Sequence, residues 1–187
     1  KQNSGMEKTV ESLAGYVEHI IYRNADNGYT VLNLVSGEDE ITCVGIFSAI
    51  VEGENIEAQG EYTEHPTYGQ QFKVTSFEEK APEDEEAIER YLGAGAIKGI
   101  GLAMAARIVR RFKEDTFRII EEEPERLAEI KGISNRKAME IASQVNEKRD
   151  LRQAMIFLQQ YGITMNLAVK VYQAYGQDVY GIIRENP

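Results

Sequence analysis

Two tetrapeptides carry the clearest chemistry in this sequence, Lys98-Gly99-Ile100-Gly101 and Lys131-Gly132-Ile133-Ser134. Glycine in second place permits positive φ and a close backbone approach. The isoleucine after it is placed to anchor the turn in an apolar core. Gly101 and Ser134 both start helices well. Each tetrapeptide therefore predicts a turn that delivers the chain into a helix N-terminus. Backbone N–H groups there lack partners and lie at the positive end of the helix dipole. Such a corner binds anions without needing a particular side chain. Two corners with Arg107, Arg136 and Lys137 beside them can hold two phosphates of one nucleic-acid strand. The candidate DNA-binding set is Lys98, Gly99, Ile100, Gly101, Arg107, Lys131, Gly132, Ile133, Ser134, Arg136 and Lys137.

Other chemistry finds no support. His19 and His65 are isolated, and no Cys/His cluster has metal-ligand spacing. The single Cys43 cannot form an internal disulfide, which fits a reducing, cytoplasmic setting. Gly93-Ala94-Gly95 and Gly99-Ile100-Gly101 lack the Gly-Lys-Ser/Thr that completes a nucleotide phosphate loop. No catalytic residue and no cofactor is therefore assigned to the chain. No apolar run approaches the ~18 residues of a membrane span, so no membrane partner is expected.

The helices that must position the corners are legible. After Gly101, Ala105, Ile108, Val109 and Phe112 recur at helical spacing, with Arg107, Arg110 and Arg111 on the other face. After Ser134, Ala138, Ile141, Ala142 and Val145 repeat the stripe. Ile97 and Ile130 precede the two motifs at matching places. A third, weaker copy starts at Tyr161-Gly162-Ile163-Thr164 and continues through Leu167, Ala168, Val171 and Tyr175. It aligns with the first copy through Asp178, Ile182-Ile183 and Glu185 to Pro187, opposite Asp115, Ile119-Ile120, Glu122 and Pro124. The unit reads as hairpin turn, helix, short turn, second helix, Pro, with Asp115 expected to cap the second helix. Helices are expected from Glu85 to Leu92, from Ser134 to about Lys148, and separately from Leu151 to Gln160. These Gly-Ile-Gly and Gly-Ile-Ser turns resemble the helix-hairpin-helix motifs that bind DNA without sequence preference. A tight turn in a ligand-free helical bundle has the same local sequence; repetition and adjacent cations favour the DNA reading. In the third copy Tyr161 replaces Lys and Thr164 replaces Gly, so core packing is expected there rather than DNA contact.

The first part of the chain has period two. Residues 12–80 predict five short strands separated by turn clusters such as Asn24-Ala25-Asp26-Asn27-Gly28 and His65-Pro66-Thr67-Tyr68-Gly69. They imply a small antiparallel OB-like β-barrel, with an SH3-like barrel as the alternative because Ser48–Glu52 leaves little room for a helix. Gly15 and Gly60 are expected at bulges or bends. The fold class is thus α+β and multi-domain: a lead over residues 1–11, disordered or cloning-derived, the barrel over 12–80, and an all-α tandem helix-hairpin-helix domain over 81–187. Its hairpins lie near 98–101, 131–134 and 161–164. Pro187 is read as a cut inside the array, with a fourth hairpin and a motor expected beyond it.

Net charge is −10, unevenly spread. Residues 1–80 hold 5 basic and 14 acidic side chains, whereas 97–152 hold 13 basic and 10 acidic. The hairpins therefore carry what positive potential there is, and the barrel repels a polyanion. Tyr16, Tyr22, Tyr29, Tyr62, Tyr68 and Phe72 offer stacking surfaces, but Arg23 and Lys73 are nearly alone as cations, so a docking or structural role is expected.

His65-Pro66-Thr67-Tyr68-Gly69-Gln70-Gln71-Phe72, Ile97-Lys98-Gly99-Ile100-Gly101 and Glu122-Glu123-Pro124-Glu125-Arg126-Leu127, in this order, resemble the N-terminal region of RecD-like (RecD/TraA) ATP-dependent DNA helicases. The similarity covers about Ser12 to Pro187. The resemblance implies a 5′-to-3′ DNA helicase, involved in DNA repair, whose ATP and Mg belong to a motor not in this chain. Implied partners are DNA, single-stranded or forked, and the chain's own downstream motor. A protein scaffold docking through the acidic barrel is the first alternative. A DNA glycosylase is the second, and Asp150 is its only tempting acid.

Overall fold

The computed structural model describes residues 10–47, 50–163 and 165–178. Five strands form first in the chain: β1 Glu11–Arg23, β2 Tyr29–Ser36, β3 Asp39–Ile46, β4 Asn55–His65 and β5 Gly69–Lys80. Alternation closes them into a barrel, because Leu32, Leu34, Cys43, Ile56, Ala58 and Phe72 all point inward and are buried. The strand order is β1-β2-β3-β5-β4, with β4 returning to β1. Four pairings are antiparallel, and β3 meets β5 in parallel through Cys43↔Phe72 and Val44↔Lys73. That parallel closure is the OB arrangement and removes the SH3-like alternative. It brings together strands that are not neighbours in sequence, so the turns alone did not reveal it.

The two strand glycines differ from each other. At Gly60 the register shifts, and Thr75 on β5 is left without an opposite residue. Gly15 lies in unbroken register with Ile56, while the shifts of β1 fall further on, between Val17 and His19 and between Ile20 and Tyr22. Gly15 is therefore no bulge. It is required by close approach, since a Cβ there would stand 2.2 Å from the Val35 carbonyl oxygen.

The helical part follows: α1 Glu85–Gly93, α2 Leu102–Phe112, α3 Thr116–Glu122, α4 Asn135–Gln160 and α5 Met165–Tyr175. Short 3-10 helices cover Lys113–Asp115, Pro124–Glu129 and Gly176–Asp178. Asp84 caps α1, its Oδ1 accepting from the Ala87 N–H at 2.7 Å, a bond worth about 1 kcal/mol. The anticipated stripes are buried in one core: Ala105, Ile108, Val109 and Phe112 from α2, and Ala138, Ile141, Ala142 and Val145 from α4. Ile97, Ile100, Ile130 and Ile133, two from each hairpin copy, join them.

Two expectations change, and part of a third lies outside the described residues. The helices expected at 134–148 and 151–160 are one, α4. Nothing between Lys148 and Leu151 breaks a helix. The buried stripe only moves, from Ala138–Val145 to Ala154, Met155 and Leu158, roughly 140° around the axis at 3.6 residues per turn. One helix thus serves two cores, and the second packs on α5 through Ala168. Asp115 stands at the start of α3 but makes no side-chain cap; it pairs with Arg118 at 3.5 Å instead. Of the third repeat copy, Thr164 and residues 179–187 lie outside the described residues, and so do the matches at Ile182-Ile183, Glu185 and Pro187.

Barrel and helices touch directly. The Arg90 guanidinium of α1 lies 3.8 Å from the Tyr16 ring centroid. Val51 packs against the helical core.

Candidate nucleic-acid interface

The two hairpins are built alike. Gly99 has φ +91° and Gly132 φ +97°, so each turn needs the left-handed region that glycine enters freely. The Ile100 N–H donates to the Ile97 carbonyl at 3.3 Å, and the Ile133 N–H to the Ile130 carbonyl at 3.1 Å. Both isoleucines are buried. As members of the candidate set, Ile100 and Ile133 are therefore anchors: neither side chain nor N–H faces outward for a ligand.

The exposed groups come one step later. The first helical bond of α2 runs from Ala105 N–H to the Gly101 carbonyl at 2.9 Å, and that of α4 from Ala138 N–H to the Ser134 carbonyl at 2.9 Å. At α2, the N–H groups of Gly101, Leu102, Ala103 and Met104 have no partner among the described residues. At α4, Ser134 Oγ accepts from the Lys137 N–H at 3.1 Å, which leaves Ser134, Asn135 and Arg136 free.

The hairpins also lock onto each other. A Cβ built on Gly99 would lie 3.2 Å from Cε of Lys137, and one on Gly132 would lie 3.3 Å from Cε of Met104. Met104 and Lys137 hold equivalent places, three residues after Gly101 and Ser134. Each turn thus rests on the first turn of the other hairpin's helix, in approximate two-fold relation. Lys98, Gly99, Ser134, Arg136 and Lys137 line one open cleft at the start of α4, together with Glu140, Ser143 and Gln144. Arg107 reaches the Lys131 carbonyl at 3.5 Å.

Charge pairing divides the helical cations, and Arg110, Lys113 and Lys148 share the unpaired state of most of the candidate set among the described residues. Arg111, Arg118, Arg126, Arg149 and Arg152 are all held by carboxylates. Among the described residues, Lys98, Arg107, Lys131 and Lys137 make no salt bridge. Of the candidate cations only Arg136 does, to Glu140 at 3.3 Å with both side chains exposed, an interaction of 0–1 kcal/mol that a phosphate can displace.

Residues 10–82 match the OB-fold domain of the ATP-dependent DNA helicase YrrC, and residues 85–150 and 147–187 match the HHH domain of the ATP-dependent RecD2 DNA helicase. The chain belongs to this helicase family. It contributes the N-terminal OB-fold and HHH domains of the RecD2/YrrC type. The ATP-dependent RecD2 DNA helicase of Deinococcus radiodurans is 28% identical over 174 residues, an alignment taking in 89% of this chain and 24% of that protein. The chain thus spans about a quarter of that relative's length. Two structures of Entamoeba histolytica asparaginyl-tRNA synthetase, one with asparaginyl-adenylate, are 15% and 16% identical. They cover 58% and 56% of this chain and 31% and 30% of their own, at a TM-score of 0.33, a likeness too weak to carry an argument.

Within the RecD2-type HHH region, the third turn stands apart. Gly162 has φ +73°, yet among the described residues a Cβ there would meet nothing within 4 Å, unlike those at Gly99 and Gly132. Tyr161 is exposed, and Ile163 packs with Leu158 and Ala168 in the separate small core. Gln144 was not singled out from the sequence. Its Oε1 accepts from the Lys98 N–H at 2.8 Å, and its Nε2 donates to the Lys98 carbonyl at 3.1 Å. The only sequence signal is a long amide side chain next to Val145 on the edge of the buried stripe.

Proposed function

We propose that this region binds DNA without sequence preference, through phosphate contacts at the two hairpins. It serves a 5′-to-3′ ATP-dependent helicase whose ATP- and Mg-binding motor lies outside the chain. One observation carries the reading. Two helix N-termini with free N–H groups sit side by side, each turn rests on the other's helix, and the unpaired Lys98, Lys131 and Lys137 surround them. Backbone donors and mobile ammoniums recognise phosphate oxygens and carry no base information. The open cleft suits a strand lying across it rather than an enclosed small molecule. Asp150, the acid a glycosylase reading would use, lies 3.4 Å from the guanidinium of its neighbour Arg149, an ion pair that favours a structural role for it.

The test is fluorescence anisotropy of the whole chain with single-stranded, duplex and forked oligonucleotides over a range of salt. Binding should be similar across sequences and weaken with salt at a slope of about two to four phosphate contacts. Absence of salt-sensitive binding to all three substrates would leave the protein-docking role of the acidic barrel in its place.

A further inference from the structure

Gln144 belongs to neither hairpin sequence, yet it joins the two. It lies on α4, the helix opened by the second hairpin, and bonds both backbone groups of Lys98 in the first. A primary amide has one acceptor and one donor side by side, the complement of the N–H and C=O that a single residue presents along one edge of the backbone. Two bonds fix the orientation of the Lys98 backbone as well as its position, at the outer side of a turn whose inner side is anchored by Ile97 and Ile100. The Gln144 amide is itself steadied by the Glu140 carbonyl, 3.4 Å from Nε2. Lys98 is the residue before Gly99, so whatever holds its peptide groups sets where the turn and the N-terminus of α2 point.

We propose that Gln144 is a positioning residue for phosphate binding, holding the Lys98–Gly101 turn in fixed register with the N-terminus of α4 so that both turns meet one backbone together. The proposal rests on the phosphate-binding reading above. Two rigidly joined contacts avoid the ordering cost that a loose second turn incurs on binding. Without the clamp, the first hairpin keeps its sequence and charge but loses its register.

Gln144 is neutral, and this makes the test discriminating. The salt slope counts the cations that reach phosphates, so a neutral substitution lowers it only by moving a cation away. Gln144→Met keeps the length and removes both bonds; Gln144→Ala is the second variant. Each is measured in the whole chain against a duplex oligonucleotide over a salt series, beside Lys98→Ala, Lys131→Ala and the double variants, with circular dichroism and melting on the same samples. Folded Gln144→Met should bind about tenfold more weakly at low salt, with the slope reduced by about one unit, as for Lys98→Ala. It should add little to Lys98→Ala and add in full to Lys131→Ala. Parental affinity and slope in a folded variant, or full additivity with Lys98→Ala, would overturn the proposal alone. Unfolding of both variants would also overturn it, because Gln144 would then hold the fold and not the turn. If the parent shows no salt-dependent binding, the phosphate-binding reading fails and takes this proposal with it.

Discussion

Arg152, in the second half of α4, donates from Nε to Oε2 of Glu79 on β5 and brings Nη2 to 4.0 Å from Oε1 of Glu54. Glu54 is 5% exposed, and its Oε2 has no hydrogen-bond partner. One guanidinium thus serves two carboxylates at the seam between barrel and helices. Burial, with the Glu79 charge second, pushes the Glu54 carboxyl up to about 8 against the pull of Arg152. The helix that opens at the second hairpin therefore ends its interdomain contact beside a carboxyl whose pKa is raised.

The sign of the resulting pH dependence follows. Between about 4.5 and 8 the folded chain holds a proton on Glu54 that the unfolded chain has released. The contribution to stability is whole below about 4.5 and is lost as pH rises to about 8, at ~1.4 kcal/mol per unit and a few kcal/mol in all. Melting of the parent and of Glu54→Gln is to be followed from pH 5 to 9. The variant cannot titrate there, so the parent should lose stability relative to it over this range. Parallel curves would show that Glu54 is ionised in the folded state.

Gly60→Ala should destabilise the barrel by about 3 kcal/mol. A Cβ at Gly60 would stand 1.9 Å from the Lys73 carbonyl oxygen and 2.8 Å from its carbon, both backbone atoms on the paired strand. Gly37→Ala is the control: its φ of +62° is strained for alanine but the space is open, so about 1 kcal/mol is expected. Urea unfolding of the two variants measures the difference, and equal costs would refute a rigid close approach at Gly60.

What the sequence disclosed follows from how local each signal is. Gly99 and Gly132 announced their turns because the glycine requirement lies within four residues. The α2 stripe was read correctly because one face is buried along its whole length. The β3–β5 pairing was hidden because Cys43 and Phe72 are brought together only by barrel closure. The continuity of α4 was hidden because its buried face changes after Val145, which reads as a break. Gln144 was hidden because its partner stands 46 residues away, and nothing local distinguishes it from a surface glutamine.

The barrel should contribute little to DNA affinity. Tyr68 is 76% exposed at the β4–β5 turn, its ring 4.8 Å from that of His65, and Tyr22 is 52% exposed on β1. Such rings can stack on bases, a contact worth ~1–3 kcal/mol each. Phosphates flanking a stacked base would meet the acidic surface of residues 1–80, with 14 carboxylates against 5 cations. Tyr22→Ala and Tyr68→Ala should therefore change single-strand affinity by less than about twofold. A tenfold loss for either would establish the barrel as a stacking platform.

The glycines of the hairpins should not behave alike. Gly99 and Gly132 combine positive φ with a neighbouring side chain 3.2–3.3 Å from any Cβ. Valine at either position strains the turn by roughly 1 kcal/mol or more and presses on Lys137 or Met104. Gly101 differs: its φ is −100°, its surroundings are open, and α2 starts without a side-chain cap. Serine there can accept from the helix as Ser134 does at α4, and should raise stability by a few tenths of a kcal/mol. It would also occupy one free N–H of α2, so DNA affinity should stay level or fall slightly. Folded Gly99→Val and Gly132→Val should bind single strands and duplex several-fold more weakly with similar losses across sequences, because the contact that they disturb is to the backbone. Their salt slopes should fall by less than that of Lys131→Ala, since an N–H group displaces few counterions. Anisotropy and melting on the same samples decide the matter. Parental binding by both folded valine variants, alone and combined, would reduce the hairpins to turns that organise the helical core.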